Sequence, residues 1–507
     1  MNENAGIGTP GEDSLALPVG SEEASRRWRS LWRIHFWSGL FAMPFILLMA
    51  TTGLLILYTQ PVQDLSQNGL RKVDRPVGAE PLSLNEQAAV VEAESPDGTV
   101  GDVTPPSASD RSTRFFFDDG SCAGLHVFVD PYSGRVLGDT GPGDGVIGLA
   151  NRLHGHLNND SVKIRLPAVA AIWDGGSVMR EYVLGDLVLE ILGIWTLVLV
   201  SSGMYIWWPR RGADGSRRRF FFRPGAIGRA RWRDLHGVAG VLLLPAMLIT
   251  IVSGMAWSTY WAEQFGSLAD RITPGDYVDQ PTSSLGERGD LDRFGNQIPW
   301  STGEFPIPAS FAPVTDGSSP APLDLDAVAA IAVDEGMKPG FTITFPSNVE
   351  DEAGNIVHGS YAVYNSWPRK TGEARDLFLD QFTGETLAEQ RVYGLGTVHR
   401  GMDYLVSTHM GTQLGIFSRI FMTMLCVLAI WSVSSAAVMY AKRRRPGTFG
   451  VPRRPIDVRL ARGVAAIAVC VGIVFPQWGV VALIVLGVDR FLIRRVTRLR
   501  RAFGQVG

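Results

Sequence analysis

Apolar residues in this chain are gathered into five long runs, at 34–58, 182–208, 235–258, 413–440 and 463–492. A helix needs about 20 predominantly apolar residues to cross the hydrocarbon core of a bilayer, so each run is a candidate span. The first is too long for a signal peptide and lacks a small-residue cleavage site, which makes it a retained helix. The fifth carries Phe475-Pro476-Gln477-Trp478-Gly479 near its middle and reads either as a short hairpin turning at Pro476 or as a single crossing. The expected fold class is a polytopic α-helical membrane protein.

Between the runs the pattern changes. The linkers 59–181 and 259–412 each offer a short amphipathic helix (84–93; 325–335) and strand-like alternation (113–117; 341–345). Each then has a strand–turn–strand signature, Asp130 to Leu137 and Asp380 to Leu387, with Gly134 and Gly384 in the turns. Each linker is expected to be a small α+β domain, with Pro- and Gly-rich spacers such as 281–322.

Charge orients the spans. Arg26, Arg27, Arg29 and Arg33 precede the first run, and basic residues crowd 209–234 and 441–462. By the positive-inside rule these three segments face the cytoplasm and both long linkers face outward. The expected order is a cytoplasmic tail (1–33), a span (34–58), an outer domain (59–181) and a span (182–208). A basic loop (209–234), a span (235–258), a second outer domain (259–412) and a span (413–440) follow. A basic loop (441–462), the C-terminal helical hairpin (463–492) and a basic tail (493–507) complete it.

The first and third runs align without gaps at an offset of 201 residues: His35, Gly39, Pro44 and Gly53 match His236, Gly240, Pro245 and Gly254, and a Thr or Ser precedes the last glycine of each copy. The unit helix, outer domain, helix therefore occurs twice in one orientation, which implies a pseudo-twofold axis along the membrane normal.

Composition narrows the chemistry. A hydrophobic fraction of 46% with 19% charged residues fits neither a disordered nor a coiled-coil chain. Three cysteines, Cys122, Cys426 and Cys470, are too few for a disulfide scaffold or an iron–sulfur cluster, and no C-x-x-C-H occurs for covalent haem. The eight histidines are more telling. His35 and His236 lie inside spans at duplicated positions, where an ionisable residue points to function. His154 and His156 precede the second span, and His399 and His409 precede the fourth. A small metal cage would need three or four converging donors, whereas a bis-histidine haem needs one imidazole on each side of a flat macrocycle. Two haems follow, one between His35 and His236 and one between His154 and His409, with Arg33 and Arg233 available to balance propionates.

The stretch Trp32 to Phe45, with His35, Gly39 and Pro44, resembles the opening helix of the PepSY-associated transmembrane family of iron-regulated membrane proteins. Leu153-His154-Gly155, Ser202-Gly203 through Trp208-Pro209-Arg210, Trp232 through Gly240, and His409-Met410-Gly411 through Gly415 resemble its later signatures. The resemblance implies PepSY-like outer domains, haem b bound by His35, His154, His236 and His409, and in some members reduction of ferric siderophores. Departures are His156, a long stretch 158–179, and Ala436 in place of a glycine. They leave His156 or His399 as alternative outer ligands.

The function these readings imply is a transmembrane dihaem b-type electron carrier. It would reduce an extracytoplasmic ferric siderophore or other ferric chelate, with quinol or a separate cytoplasmic reductase as donor. The cytoplasmic (inner) membrane, with the N-terminus inside, is its expected location, and lipid rather than nucleic acid its surroundings. The alternatives are a haem-free PepSY binding or sensory protein anchored in the membrane, and an iron-chelate permease.

Overall fold

The computed structural model describes residues 19–94, 98–118, 124–208, 223, 225–273, 285, 305–312, 321–351, 353–365, 369–443 and 469–503. The basic residues within 209–222 and 444–468, Cys122 and most of the spacer 281–322 lie outside them. Among the described residues five helices are long and apolar enough to cross a membrane: Trp28–Leu57, Leu184–Trp207, Gly228–Met255, Ile416–Arg443 and Pro476–Ile493. This is a multi-pass membrane protein.

The spans belong to helices α1 (Val19–Leu57), α4 (Leu184–Trp207), α5 (Gly228–Met255), α9 (Ile416–Arg443) and α10 (Pro476–Gly487), the last continued by a π-helical turn at Val488–Ile493. Pro44 and Pro245 stand inside α1 and α5. Prolines are tolerated in such helices because neighbouring groups satisfy the freed carbonyls. Chain contacts divide the molecule into two units, 1–43 with 195–241 and 434–507, and 44–194 with 242–433.

In the second unit both linkers contribute to one sheet. Its strands are β1 (Thr99–Thr104), β2 (Thr113–Asp118), β3 (Leu125–Val129) and β4 (Val136–Thr140) from the first linker. The second supplies β7 (Phe341–Thr344), β8 (Ser360–Asn365), β9 (Arg375–Asp380) and β10 (Thr386–Arg391). The order is β10-β9-β8-β7-β1-β2-β3-β4, antiparallel throughout, and β1 meets β7 at Asp102↔Thr344 and Val103↔Ile343. Instead of two separate domains there is one sheet with a seam at its centre. Alternate side chains explain the core: Val103, Phe115, Ile343, Val363 and Leu377 face helices α2 (Leu84–Glu94) and α7 (Leu325–Asp334). Ala362, Phe378 and Ala388 face the other way, onto Phe305 and Ile307.

The outermost hairpin of each half turns identically. Asp130 N–H donates to Arg135 O and Gly134 N–H to Asp130 O; Asp380 N–H donates to Glu385 O and Gly384 N–H to Asp380 O. Gly134 at φ 69° and Gly384 at φ 74° supply the left-handed step that a side chain would strain.

One hairpin had no sequence forecast. The stretch 158–179 contributes to a second hairpin, β5 (Lys163–Pro167) with β6 (Met179–Val183), bridged by a turn of helix at Ala171–Asp174. It packs on α6 (Thr259–Ile272), where Gln264 Oε1 accepts from Ala170 N–H at 2.5 Å and Arg180 pairs with Glu263. In the first unit the chain bends at Phe475, and Gly472 and Gly479 approach so closely that a Cβ on Gly479 would stand 2.8 Å from Gly472 O.

Candidate functional site

In the first unit α1 carries His35 and α5 carries His236. Their ring centroids are 6.3 Å apart and their planes cross at 70°. His35 Nδ1 lies 2.9 Å from Leu199 O and 3.3 Å from Ser202 Oγ on α4, and His236 Nδ1 lies 3.1 Å from Ser435 Oγ on α9. Small residues permit this approach: a Cβ on Gly203 would stand 2.8 Å from His35 Cε1.

In the second unit His154 lies near the end of α3 (Gly145–His156), and His409 is the last residue of α8 (Thr397–His409). Leu157 and Asn158, both left-handed at φ 50° and 56°, stop α3 just past the site. The two rings are again 6.3 Å apart, crossed at 84°. His154 Nδ1 is 2.9 Å from Thr52 Oγ1 on α1, and His409 Nδ1 is 3.0 Å from Ser253 Oγ on α5. Cε1 of each ring rests on the next residue, 3.1 Å from where a Gly53 Cβ would be and 3.3 Å from a Gly254 Cβ. Burial pushes the pKa of both imidazoles down to about 4, helped at His154 by His409 opposite. Both are therefore neutral at pH 7, the form that binds a metal.

The remaining site candidates are engaged elsewhere. His156 Nδ1 lies 2.5 Å from Asp186 Oδ1, and this bond raises its pKa. Asp186 Oδ2 also accepts from Thr259 N–H at 3.0 Å. His399 Nε2 is 3.4 Å from Asp270 Oδ1, and burial outweighs that carboxylate to lower its pKa. Arg33 donates to Phe503 O at 3.0 Å and Arg233 pairs with Asp234 at 3.2 Å. The residues that sequence reasoning missed are the partners of the paired rings, Thr52, Ser202, Ser253 and Ser435. Their signal was present: a hydroxyl residue directly before the glycine or alanine of each helix.

Among the described residues no group of three or more His, Cys, Asp and Glu converges. The donors come as two opposed imidazoles, twice. A metal–imidazole bond is about 2 Å and a ring centroid lies roughly 1 Å behind its nitrogen, so two rings sharing one metal from opposite sides place their centroids about 6 Å apart. Both pairs fit a bis-imidazole haem by this measure, with a hydroxyl beside each Nδ1. Beside the first pair, nothing lies within 4 Å of where a Gly240 Cβ would stand, one turn from His236.

The family described as PepSY-associated TM region matches residues 32–443. The chain belongs to the PepSY-associated transmembrane family. The matched region of this PepSY-associated transmembrane protein holds all four paired histidines and all four hydroxyl partners, and stops before the C-terminal apolar segment. No curated protein matches the chain.

Proposed function

We infer that this PepSY-associated transmembrane protein is a dihaem b-type electron carrier. It would pass electrons outward, across the cytoplasmic membrane, to a ferric siderophore or other ferric chelate. The observation that carries the reading is the repetition of one arrangement: two imidazoles 6.3 Å apart in each unit. A duplicated helix–outer domain–helix unit accounts for it, each copy giving one histidine to each pair, and the outer domains are then PepSY-like. His35 and His236 would hold one haem, His154 and His409 the other, and the apolar helices would keep water from both. Bound haem supplies one-electron redox chemistry that no side chain of this composition offers. Electrons would enter from quinol or a separate reductase on the side of Arg33, and the acceptor would meet the outer sheet.

The test is a dithionite-reduced minus oxidised spectrum of purified protein, with pyridine haemochrome stoichiometry. Two b-type haems per chain are expected, one lost in His35→Ala or His236→Ala and the other in His154→Ala or His409→Ala. Reduction of a ferric hydroxamate by the reduced protein should follow. Absence of haem from protein made with ample haem would overturn the reading and leave a haem-free binding protein or permease.

A further inference from the structure

The geometry assigns a positioning role to the hydroxyls beside the paired imidazoles: Thr52 and Ser253 meet Nδ1 of His154 and His409 and hold that pair crossed. At the other pair Ser435 meets His236 Nδ1, and Ser202, at 3.3 Å, backs His35 Nδ1 beside the nearer Leu199 carbonyl at 2.9 Å. This rests on the dihaem reading, and it concerns this chain's own residues rather than the iron ligands.

A serine or threonine hydroxyl has one proton to donate. Thr52 Oγ1 donates it to Leu48 O at 2.8 Å, Ser253 Oγ to Ile249 O at 2.7 Å, and Ser202 Oγ to Leu199 O at 2.9 Å, all within their own helices. With that proton spent, the oxygen facing the ring can only accept. At His35, His154 and His409, Nδ1 must then be the protonated nitrogen and Nε2 the one that keeps its lone pair. The tautomer is set by the supporting helix before any metal binds, as outer partners of metal-bound histidines commonly do.

The residue after each hydroxyl fixes the ring a second time. At Gly53, Gly203 and Gly254 the helix backbone presses on Cε1, the atom next to Nδ1, with 3.1, 2.8 and 3.3 Å to the position a Cβ would take. A ring tied at Nδ1 and backed at Cε1 cannot swivel about its Cβ–Cγ bond. The planes consequently stay crossed, at 84° in one pair and 70° in the other. The fourth step reads Ser435-Ala436, so a methyl stands where the other three have a glycine, and it belongs to the pair crossed at 70°.

Crossed imidazole planes give ferric haem a highly anisotropic low-spin electron paramagnetic resonance signal, whereas parallel planes give a rhombic one. Loss of an Nδ1–H···O bond also weakens the imidazole as a donor to ferric iron, which raises the midpoint potential. The experiment uses full-length, haem-loaded protein. In Thr52→Val with Ser253→Ala, the signal of the haem at His154 and His409 should move toward rhombic and its midpoint should rise, with two haems retained and the other haem unchanged. Thr52→Ser with Ser253→Thr should keep both the parent signal and the parent potential. Ala436→Gly should alter only the haem at His35 and His236. Unchanged signals and potentials in the Val/Ala variant, with both haems bound, would overturn the assignment. So would haem loss in that variant if the Ser/Thr variant loses it equally; haem loss confined to the Val/Ala variant supports it. A parent protein without haem fails the dihaem reading itself, and that is seen before any substitution is made.

Discussion

A methyl group on Gly203 would stand 2.8 Å from His35 Cε1, closer than real Cβ contacts come. The imidazole must shift, and Gly203→Ala is expected to weaken haem binding at that pair by about 10–100-fold, the range seen when contacts that orient a ligand are lost. Gly254→Ala, at 3.3 Å, should cost less at the other pair. Haem retained per chain in a dilution series measures both. His126 offers a second prediction at this scale. Burial, with Arg114 and Arg71 nearby, pushes its pKa down to about 2, while the unfolded chain binds that proton near 6.5. Between those values the unfolded state holds more protons, so stability falls as pH drops. From pH 7 to pH 5 the loss is about 2 kcal/mol. His126→Phe should flatten that dependence in urea unfolding followed at both pH values. What the sequence disclosed at this scale were the residues that repeat. The 201-residue offset exposes His35 with His236, and Thr52-Gly53 with Ser253-Gly254. It does not say which nitrogen each hydroxyl meets, because His154 and Thr52 are 102 residues apart and no local pattern links them. The carboxylates that engage His156 and His399 were hidden for the same reason.

Helices α2 and α7 brace one another where they begin. Asp326 accepts from Leu84 N–H at 2.8 Å and Asn85 N–H at 3.2 Å, and Asn85 Oδ1 accepts from Leu325 N–H at 3.1 Å. Each helix thus accepts from free amides at the start of the other, adding to the caps that Ser83 and Asp324 provide to Glu86 N–H and Ala327 N–H. Asp326→Ala leaves the Leu84 and Asn85 amides unpaired and should cost about 1–3 kcal/mol. A lowered thermal midpoint of the β-sheet circular dichroism signal would register it, with Asp326→Asn recovering part. Both helices and the two Asp–Gly hairpins were legible because their periodicity and turn residues are local. The joining of two domains into one sheet was not, since the seam is made of β1 and β7, more than 200 residues apart, and edge pairing leaves no mark on alternation. The β5–β6 hairpin was missed for a different cause. Lys163, Ile164 and Arg165 are all exposed, so that strand lacks a buried face to read and rests instead on contacts with α6.

For the molecule as a whole, the open question of topology lies in the C-terminal apolar segment, and contacts within the first unit bear on it. Arg443, at the end of α9, sits with its guanidinium 4.2 Å over the Trp32 ring. Phe503, past the C-terminal apolar run, stacks on Trp37 at 4.9 Å, and its carbonyl accepts from Arg33 at 3.0 Å. Both ends of the intervening chain therefore meet the same end of α1. In between, Trp478 lies 5.8 Å from Trp195, which is midway along α4. A chain with both ends at one end of α1 and Trp478 against the middle of α4 is expected to enter the membrane and return. The bend at Phe475–Pro476 and the contact of Gly472 with Gly479 give it the means. Arg490, Arg494, Arg495 and Arg498 would then lie on the side expected to be rich in arginine, in keeping with the charge rule. A fluorescent protein fused after Gly507 should consequently mature in the cytoplasm, and alkaline phosphatase at the same point should stay inactive. Gly479→Leu drives a side chain into the Gly472 carbonyl, 2.8 Å from its first carbon, and should open the bend. Part of the population would then cross fully and acquire phosphatase activity. An active phosphatase fusion in the unsubstituted protein would instead make the segment a single span and place the contacts of Phe503 out of reach.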